Sequence, residues 1–96
     1  MNPELLLPLS ECSLRLGVEI TFFRDLEERG LIKTTMVEEV LSIEAIQLPQ
    51  LERLVRLYQD LEINFEGLEA IVHLLERLES AQNDLTELRN RLRLYE

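Results

Sequence analysis

Apolar residues recur every three or four positions over the last third of the chain, and this spacing predicts a long helix. The stripe alternates steps of three and four residues and consists of Ile71, Leu74, Leu78, Ala81, Leu85, Leu88, Leu92 and Tyr95. So narrow a stripe is typical of a coiled-coil seam, which another helix must cover. We therefore predict that these eight residues, here called the seam, hold two copies of the chain together as a homodimer.

Charged residues beside the seam leave the orientation of the two helices open. Asp84 and Arg89 take the g and following e positions, as do Arg91 and Glu96. Opposite charges at these positions would meet in a parallel pair and would not meet this way in an antiparallel pair. The alternative to a dimer is that the seam folds back onto the chain's own globular part.

The start of the chain predicts a lead-in followed by a short helix. Residues 1–9 are expected to be extended and to include at most a short strand. Ser10 is the predicted N-cap of a helix over residues 11–16, because its hydroxyl can accept a hydrogen bond from the first turn. Gly17 is expected to end this helix.

A second short helix is predicted immediately afterwards, over residues 19–29. Ile20, Phe23 and Leu26 share one face by their spacing, and Gly30 is expected to end the helix. Two short helices separated by a tight turn form a helix-turn-helix.

A small hairpin is predicted after the helix pair. Residues 31–32 are expected to form a short strand, and residues 36–37 and 40–41 a hairpin with Glu38 and Glu39 at its turn. This hairpin would be a wing beside the helices, although its turn lacks the Gly or Asn that such turns favour.

Two further helices complete the pattern. Pro49 suits the first turn of a third helix that runs to about residue 61. Asn64 is the predicted N-cap of the fourth helix, which carries the seam. The third helix is expected to bury Leu51, Leu54, Val55, Leu57, Tyr58 and Leu61, and the fourth to open its buried face with Phe65, Leu68 and Ile71.

The net charge of the chain indicates which kind of partner it can bind. The chain has 19 acidic and 10 basic residues, which gives a net charge of −9. Such a charge opposes non-specific DNA binding, which depends on neutralising phosphates, and favours a basic protein partner. The alternative is that acidity only maintains solubility.

Reactive groups are few. One cysteine, Cys12, and one histidine, His73, exclude an internal disulfide and a Cys/His zinc set within one chain. We see no nucleophile, phosphate-loop or metal motif, so we expect no enzyme activity and no cofactor. Residues 5–9 are apolar but lack a basic start, and Pro8 interrupts them, so a cytoplasmic location is expected.

The order of elements and several spaced residues resemble the MerR family. The family's signature of the helix pair is matched by Gly17, Val18, Arg24, Glu27, Gly30, Leu31 and Ile32, and its downstream segment approximately by residues 53–68. Glu62 stands where that segment usually has a glycine. The resemblance implies a mainly α fold: a MerR-like winged helix-turn-helix over residues 1–62, with a small β-hairpin wing, and a long C-terminal helix over residues 63–96.

The departures from MerR regulators concern DNA. Asp25 and Leu26 stand where the family usually has two aromatic residues, and the wing at residues 36–41 lacks the usual phosphate-binding arginine. The second helix also has a net charge of −2. A recognition helix with this charge would be repelled by the phosphates that line a DNA groove.

The chain is also similar to the chaperone-modulator family (CbpM type), a MerR-like relative of about this length. Shared features include the Gly17-Val18 turn, the helix at residues 53–57, the segment 65–68 and a terminal helix resembling residues 85–92. This resemblance implies that the chain binds and inhibits the J-domain of a DnaJ-like (CbpA type) co-chaperone. The alternative function is a MerR-family transcription regulator that binds DNA as a dimer.

Glutamates around the second helix and the wing are the predicted partner-binding residues. They are Glu27, Glu28, Glu38 and Glu39, here called the acidic quartet. J-domains present a basic helix, which the quartet would attract through complementary charge. The alternative is that these glutamates form an ordinary solvated face.

Overall fold

Four helices and three short strands make up residues 5–95, the part of the chain that the computed structural model describes. In chain order they are β1 (Leu6–Pro8), α1 (Leu9–Leu16), α2 (Ile20–Glu28), β2 (Thr35–Val37), β3 (Val40–Glu44), a 3-10 turn (Ala45–Gln47), α3 (Leu48–Asp60) and α4 (Phe65–Leu94). Helix accounts for 69% of the structure, which confirms the mainly α fold class, with its wing and long C-terminal helix.

The first helix begins earlier than the sequence predicts. It begins at Leu9 directly after Pro8, whose φ of −61° and ψ of 141° are extended, and no side chain caps it. Ser10 is therefore wrong as the N-cap, because Pro8 ends β1 and the helix follows without a linker. Gly17 ends the helix as predicted: its φ is 71°, and its N–H donates to the Ser13 carbonyl over 2.9 Å.

The second helix ends in two hydrogen bonds that a left-handed glycine permits. Gly30 has a φ of 75°, and its N–H donates to the carbonyl of Glu27. The N–H of Leu31 donates to the carbonyl of Leu26. This pair is the Schellman pattern. The strand predicted at residues 31–32 is wrong, because Leu31 and Ile32 leave this turn as irregular backbone whose side chains are buried in the core.

The buried face of α2 includes a residue outside the predicted apolar stripe. Phe23 and Leu26, which share a face by their spacing, are fully buried, and Phe22 is buried beside them. Ile20, the third member of that stripe, is 38% exposed. Phe22 is buried because α2 packs against two other helices, and its ring centroid lies 4.6 Å from that of Tyr58 in α3.

The three strands form one antiparallel sheet in the order β1-β3-β2. The predicted hairpin is confirmed, with Val37 paired to Val40. Its two turn residues, Glu38 and Glu39, have φ of 50° and 64°. Positive φ at both positions defines the type I′ turn that matches strand twist. This explains how a two-residue turn forms here without Gly or Asn.

A single hydrophobic core joins the helices to the sheet. Its fully buried side chains are Leu9, Cys12, Phe23, Leu26, Ile43, Leu51, Leu54 and Leu68. Leu68 and the buried Val72 belong to the first two turns of α4. The core therefore contains residues from both sides of the predicted boundary at residue 62, and the division into two domains stays a prediction.

The connection between α3 and α4 is fixed by two local features. Asn64 is the N-cap of α4 as predicted, and its Oδ1 accepts a hydrogen bond of 2.8 Å from the N–H of Gly67. Glu62 adopts a φ of 54°, in the left-handed region that favours glycine. A non-glycine residue therefore adopts a glycine-like conformation at the place where MerR relatives usually have a glycine.

Candidate functional site

The acidic quartet is divided between the end of α2 and the turn of the wing. Glu27 and Glu28 end α2, and the hydroxyl of Thr34, just before β2, donates a hydrogen bond to the Glu27 carboxylate. Glu38 and Glu39 form the turn at the other end of β2. A three-residue strand is about 10 Å long. The quartet therefore forms two pairs, one at the end of α2 and one at the turn of the wing, rather than one compact cluster.

All four quartet side chains are exposed to solvent. An exposed carboxylate keeps its hydration and is free to approach an oppositely charged surface, so their placement allows docking. Solvated faces are also exposed, so exposure alone leaves both interpretations in place. Their role in binding stays a prediction.

The two arginines of α2 differ in how freely they can contact a partner. Arg24 is exposed, but Arg29 at the end of the helix is directed toward α4. Its guanidinium lies 3.1 Å from a carboxylate oxygen of Glu69 and 3.4 Å from one of Glu66, and its Cζ lies 5.6 Å from the centre of the Phe65 ring. These contacts tie α2 to α4 and leave the outer face of α2 with an excess of carboxylates.

Three aromatic rings join α2, α3 and α4. Phe22 lies 5.6 Å from Phe65, and Tyr58 lies 5.4 Å from Phe65, measured between ring centroids in tilted arrangements. With the Phe22–Tyr58 contact described above, these residues form a closed triangle, here called the aromatic triad. Sequence reasoning missed Phe22 because a nine-residue helix fits more than one apolar face.

The seam is exposed along most of its length within one chain. Every residue from 76 to 95 is exposed. The exposed fractions are 60% for Leu74, 54% for Leu78, 50% for Leu85, 55% for Leu88, 64% for Leu92 and 88% for Tyr95. Ile71 is half-buried and lies near the start of α4. The alternative in which the seam folds back onto the globular part is therefore not what the structure adopts.

One charged residue beside the seam forms an ion pair within its own helix. Arg91 donates to the carboxylate of Glu87, one turn earlier, over 3.0 Å. Glu96, its predicted partner across a parallel pair, lies outside the described residues. The orientation of the two helices in a dimer therefore stays open.

Cys12 lies in the wall of a cavity of about 340 Å³ beside α1, which Leu7, Arg15 and Leu48 also line. Burial raises the pKa of the Cys12 thiol, and the neighbouring Glu11 carboxylate raises it further. A thiol in this setting remains protonated at neutral pH and is a packed side chain rather than a nucleophile. Across residues 5–95, no set of three His, Cys, Asp or Glu side chains is placed to hold a metal ion.

The fold and this surface define a small winged helix-turn-helix protein with an acidic outer face. A family model described as MerR HTH family regulatory protein matches residues 7–90. The chain therefore belongs to the MerR helix-turn-helix family of regulatory proteins. Comparisons with curated proteins and with solved structures gave no match. Over the described range, none of the helices is long and apolar enough to cross a membrane.

Proposed function

We propose that the chain is a non-enzymatic, cytoplasmic modulator that binds the J-domain of a DnaJ-like (CbpA type) co-chaperone and inhibits it. The observation that carries the proposal is the charge of the surface formed by α2 and the wing. In helix-turn-helix proteins this surface meets nucleic acid and needs exposed basic groups. Here it presents the acidic quartet, while Arg29 is held by Glu66 and Glu69.

Complementary charge supplies both the attraction and its salt dependence. A basic helix approaching an acidic wing is steered by long-range attraction, which raises the association rate. Salt screens exposed charges over a Debye length of about 10 Å at 0.1 M. The rate of association with a J-domain is therefore expected to fall steeply as the salt concentration rises.

Calorimetric titration of a purified J-domain tests the proposal. The wild-type chain is expected to bind, and the variant in which all four quartet glutamates are replaced by lysine is expected to bind much more weakly. Circular dichroism should be unchanged, because the four side chains are exposed. If the wild-type chain does not bind a J-domain, the proposed function is wrong.

A matched control distinguishes an effect of the wing residues on binding from an effect of the net charge. Glu38→Lys with Glu39→Lys changes the charge by the same amount as Glu76→Lys with Glu79→Lys on α4, where both residues are also exposed. The wing pair is expected to weaken binding more than the α4 pair. Equal effects would show that only overall charge matters. Unchanged affinity of the variant with all four quartet glutamates replaced would instead move the docking surface to the later helices, with Asp60, Glu62 and Glu66 as the next candidates.

The family description supports a second candidate, a DNA-binding regulator that acts as a dimer. The exposed Arg24 on α2 is consistent with it. Fluorescence anisotropy with duplex DNA at physiological salt distinguishes the two. The modulator proposal expects no sequence-specific binding tighter than roughly micromolar, the non-specific range. Nanomolar binding to a palindromic site would favour the regulator.

A further inference from the structure

A cavity of about 240 Å³ lies beside the aromatic triad, on the side of α2 that faces α3 and the start of α4. Its wall contains Val18, Glu19, Thr21, Phe22, Asp25, Tyr58, Gln59 and Phe65. Three aromatic residues and two acidic residues thus border one space, and both acidic residues, Glu19 and Asp25, are exposed. Aromatic rings attract cations through their quadrupole, and a carboxylate beside them adds a charged hydrogen-bond acceptor.

The chain binds one of its own cations with the same combination of groups. The guanidinium of Arg29 lies near the Phe65 ring and contacts the carboxylates of Glu66 and Glu69. One aromatic ring and two carboxylates thus surround an arginine head group where α2 meets α4. The cavity is lined by three aromatic residues, of which Phe22 is 5% and Tyr58 38% exposed, and by two acidic residues.

We propose that this cavity binds an arginine side chain of a basic protein partner. A guanidinium is planar, stacks on aromatic rings and forms paired hydrogen bonds with a carboxylate, which a compact ammonium group does less well. The negative charge of Glu19 and Asp25 disfavours a phosphate or carboxylate ligand in the same space. The inference rests on the proposed function and deepens it, because the cavity would supply an anchor for the basic helix of the J-domain on the same helix that carries Glu27 and Glu28.

Titration with arginine amide tests the cavity without the partner. In NMR spectra of the full chain, arginine amide is expected to shift the ring protons of Phe22, Tyr58 and Phe65 saturably, with a dissociation constant on the order of 1 mM. Citrulline amide has nearly the same shape and the same α-ammonium group but lacks the guanidinium charge, and it is expected to leave these signals unchanged. Equal shifts with both probes, or shifts confined to other parts of the chain, would overturn the inference.

Two substitutions test the cavity against a purified J-domain. Asp25→Asn is expected to weaken binding about tenfold, as for the loss of a charge-assisted hydrogen bond, and Tyr58→Leu about fivefold, as for the loss of one ring. The matched control for Asp25→Asn is Glu79→Gln, which also removes one carboxylate charge, at an exposed position of the long helix outside the seam. This control is expected to change the affinity less than about twofold.

This control also separates local from long-range effects. Asp25→Asn and Glu79→Gln each make the net charge less negative by one, so equal affinities for the two variants would overturn the inference. Because Tyr58 contributes to packing, its variant is checked by circular dichroism, and Asp25→Asn decides the result if that variant unfolds. If the wild-type chain binds arginine amide at the triad but binds no J-domain, the proposed function fails while the cavity stands. If both cavity variants bind the J-domain as tightly as wild type, the cavity proposal fails while the function stands.

Discussion

Replacing Leu85 and Leu88 with glutamine should dissociate the predicted homodimer without unfolding the rest of the chain. In one chain these side chains are 50% and 55% exposed, and every residue from 76 to 95 is exposed. The core therefore makes no use of them. Glutamine has a helix propensity close to that of leucine, so α4 itself should persist.

The size of the effect follows from the exposed fractions. Complete burial of a leucine side chain contributes about 2 kcal/mol. Since the chain alone already covers half of each side chain, dimerisation would contribute about 1 kcal/mol for each leucine. Two leucines in each of two copies give about 4 kcal/mol, or roughly a thousandfold increase in the dimer dissociation constant.

Sedimentation velocity over a range of protein concentrations measures this change. The wild-type chain is expected to be a dimer at micromolar concentration and the double variant a monomer with an unchanged circular dichroism spectrum. Leu94→Gln is the matched control, because Leu94 is 83% exposed on the same helix but lies outside the seam. A wild-type monomer at micromolar concentration, or a dimer equally weakened by the control, would refute the reasoning.

Three further predictions concern stability. Glu38→Asn combined with Glu39→Gly should raise the free energy of unfolding by about 1 kcal/mol, because both positions have positive φ; a urea titration showing no gain would contradict the type I′ turn. Asn64→Ala should lower the free energy of unfolding by about 1 kcal/mol, because the N-cap of α4 is lost, whereas Asn90→Ala within the same helix should leave it unchanged. Because the raised pKa of Cys12 makes the unfolded chain lose its thiol proton first, stability should fall as pH rises above 9.0. Cys12→Ala should show a smaller fall over this range, and identical pH profiles would exclude the thiol as the cause.

The sequence alone was sufficient for features set by neighbouring residues. Gly17 and Gly30 end their helices because a left-handed residue is needed there, and Asn64 caps α4 with its own side chain. The seam could likewise be located from its spacing, since helix geometry alone decides which residues share a face. The members of the acidic quartet were readable as exposed residues, but their arrangement as two pairs at either end of β2 was not.

Packing decided what the sequence left open or misassigned. Residues 31–32 have the composition of a strand, yet their backbone is irregular and their side chains are buried in the core. Phe22 becomes buried only because α3 and α4 bring Tyr58 and Phe65 against it. Arg29 finds its carboxylates 37 and 40 residues further along the chain. Such contacts depend on how three helices pack together, so no local pattern of residues encodes them, and the aromatic cavity beside α2 exists only in the folded chain.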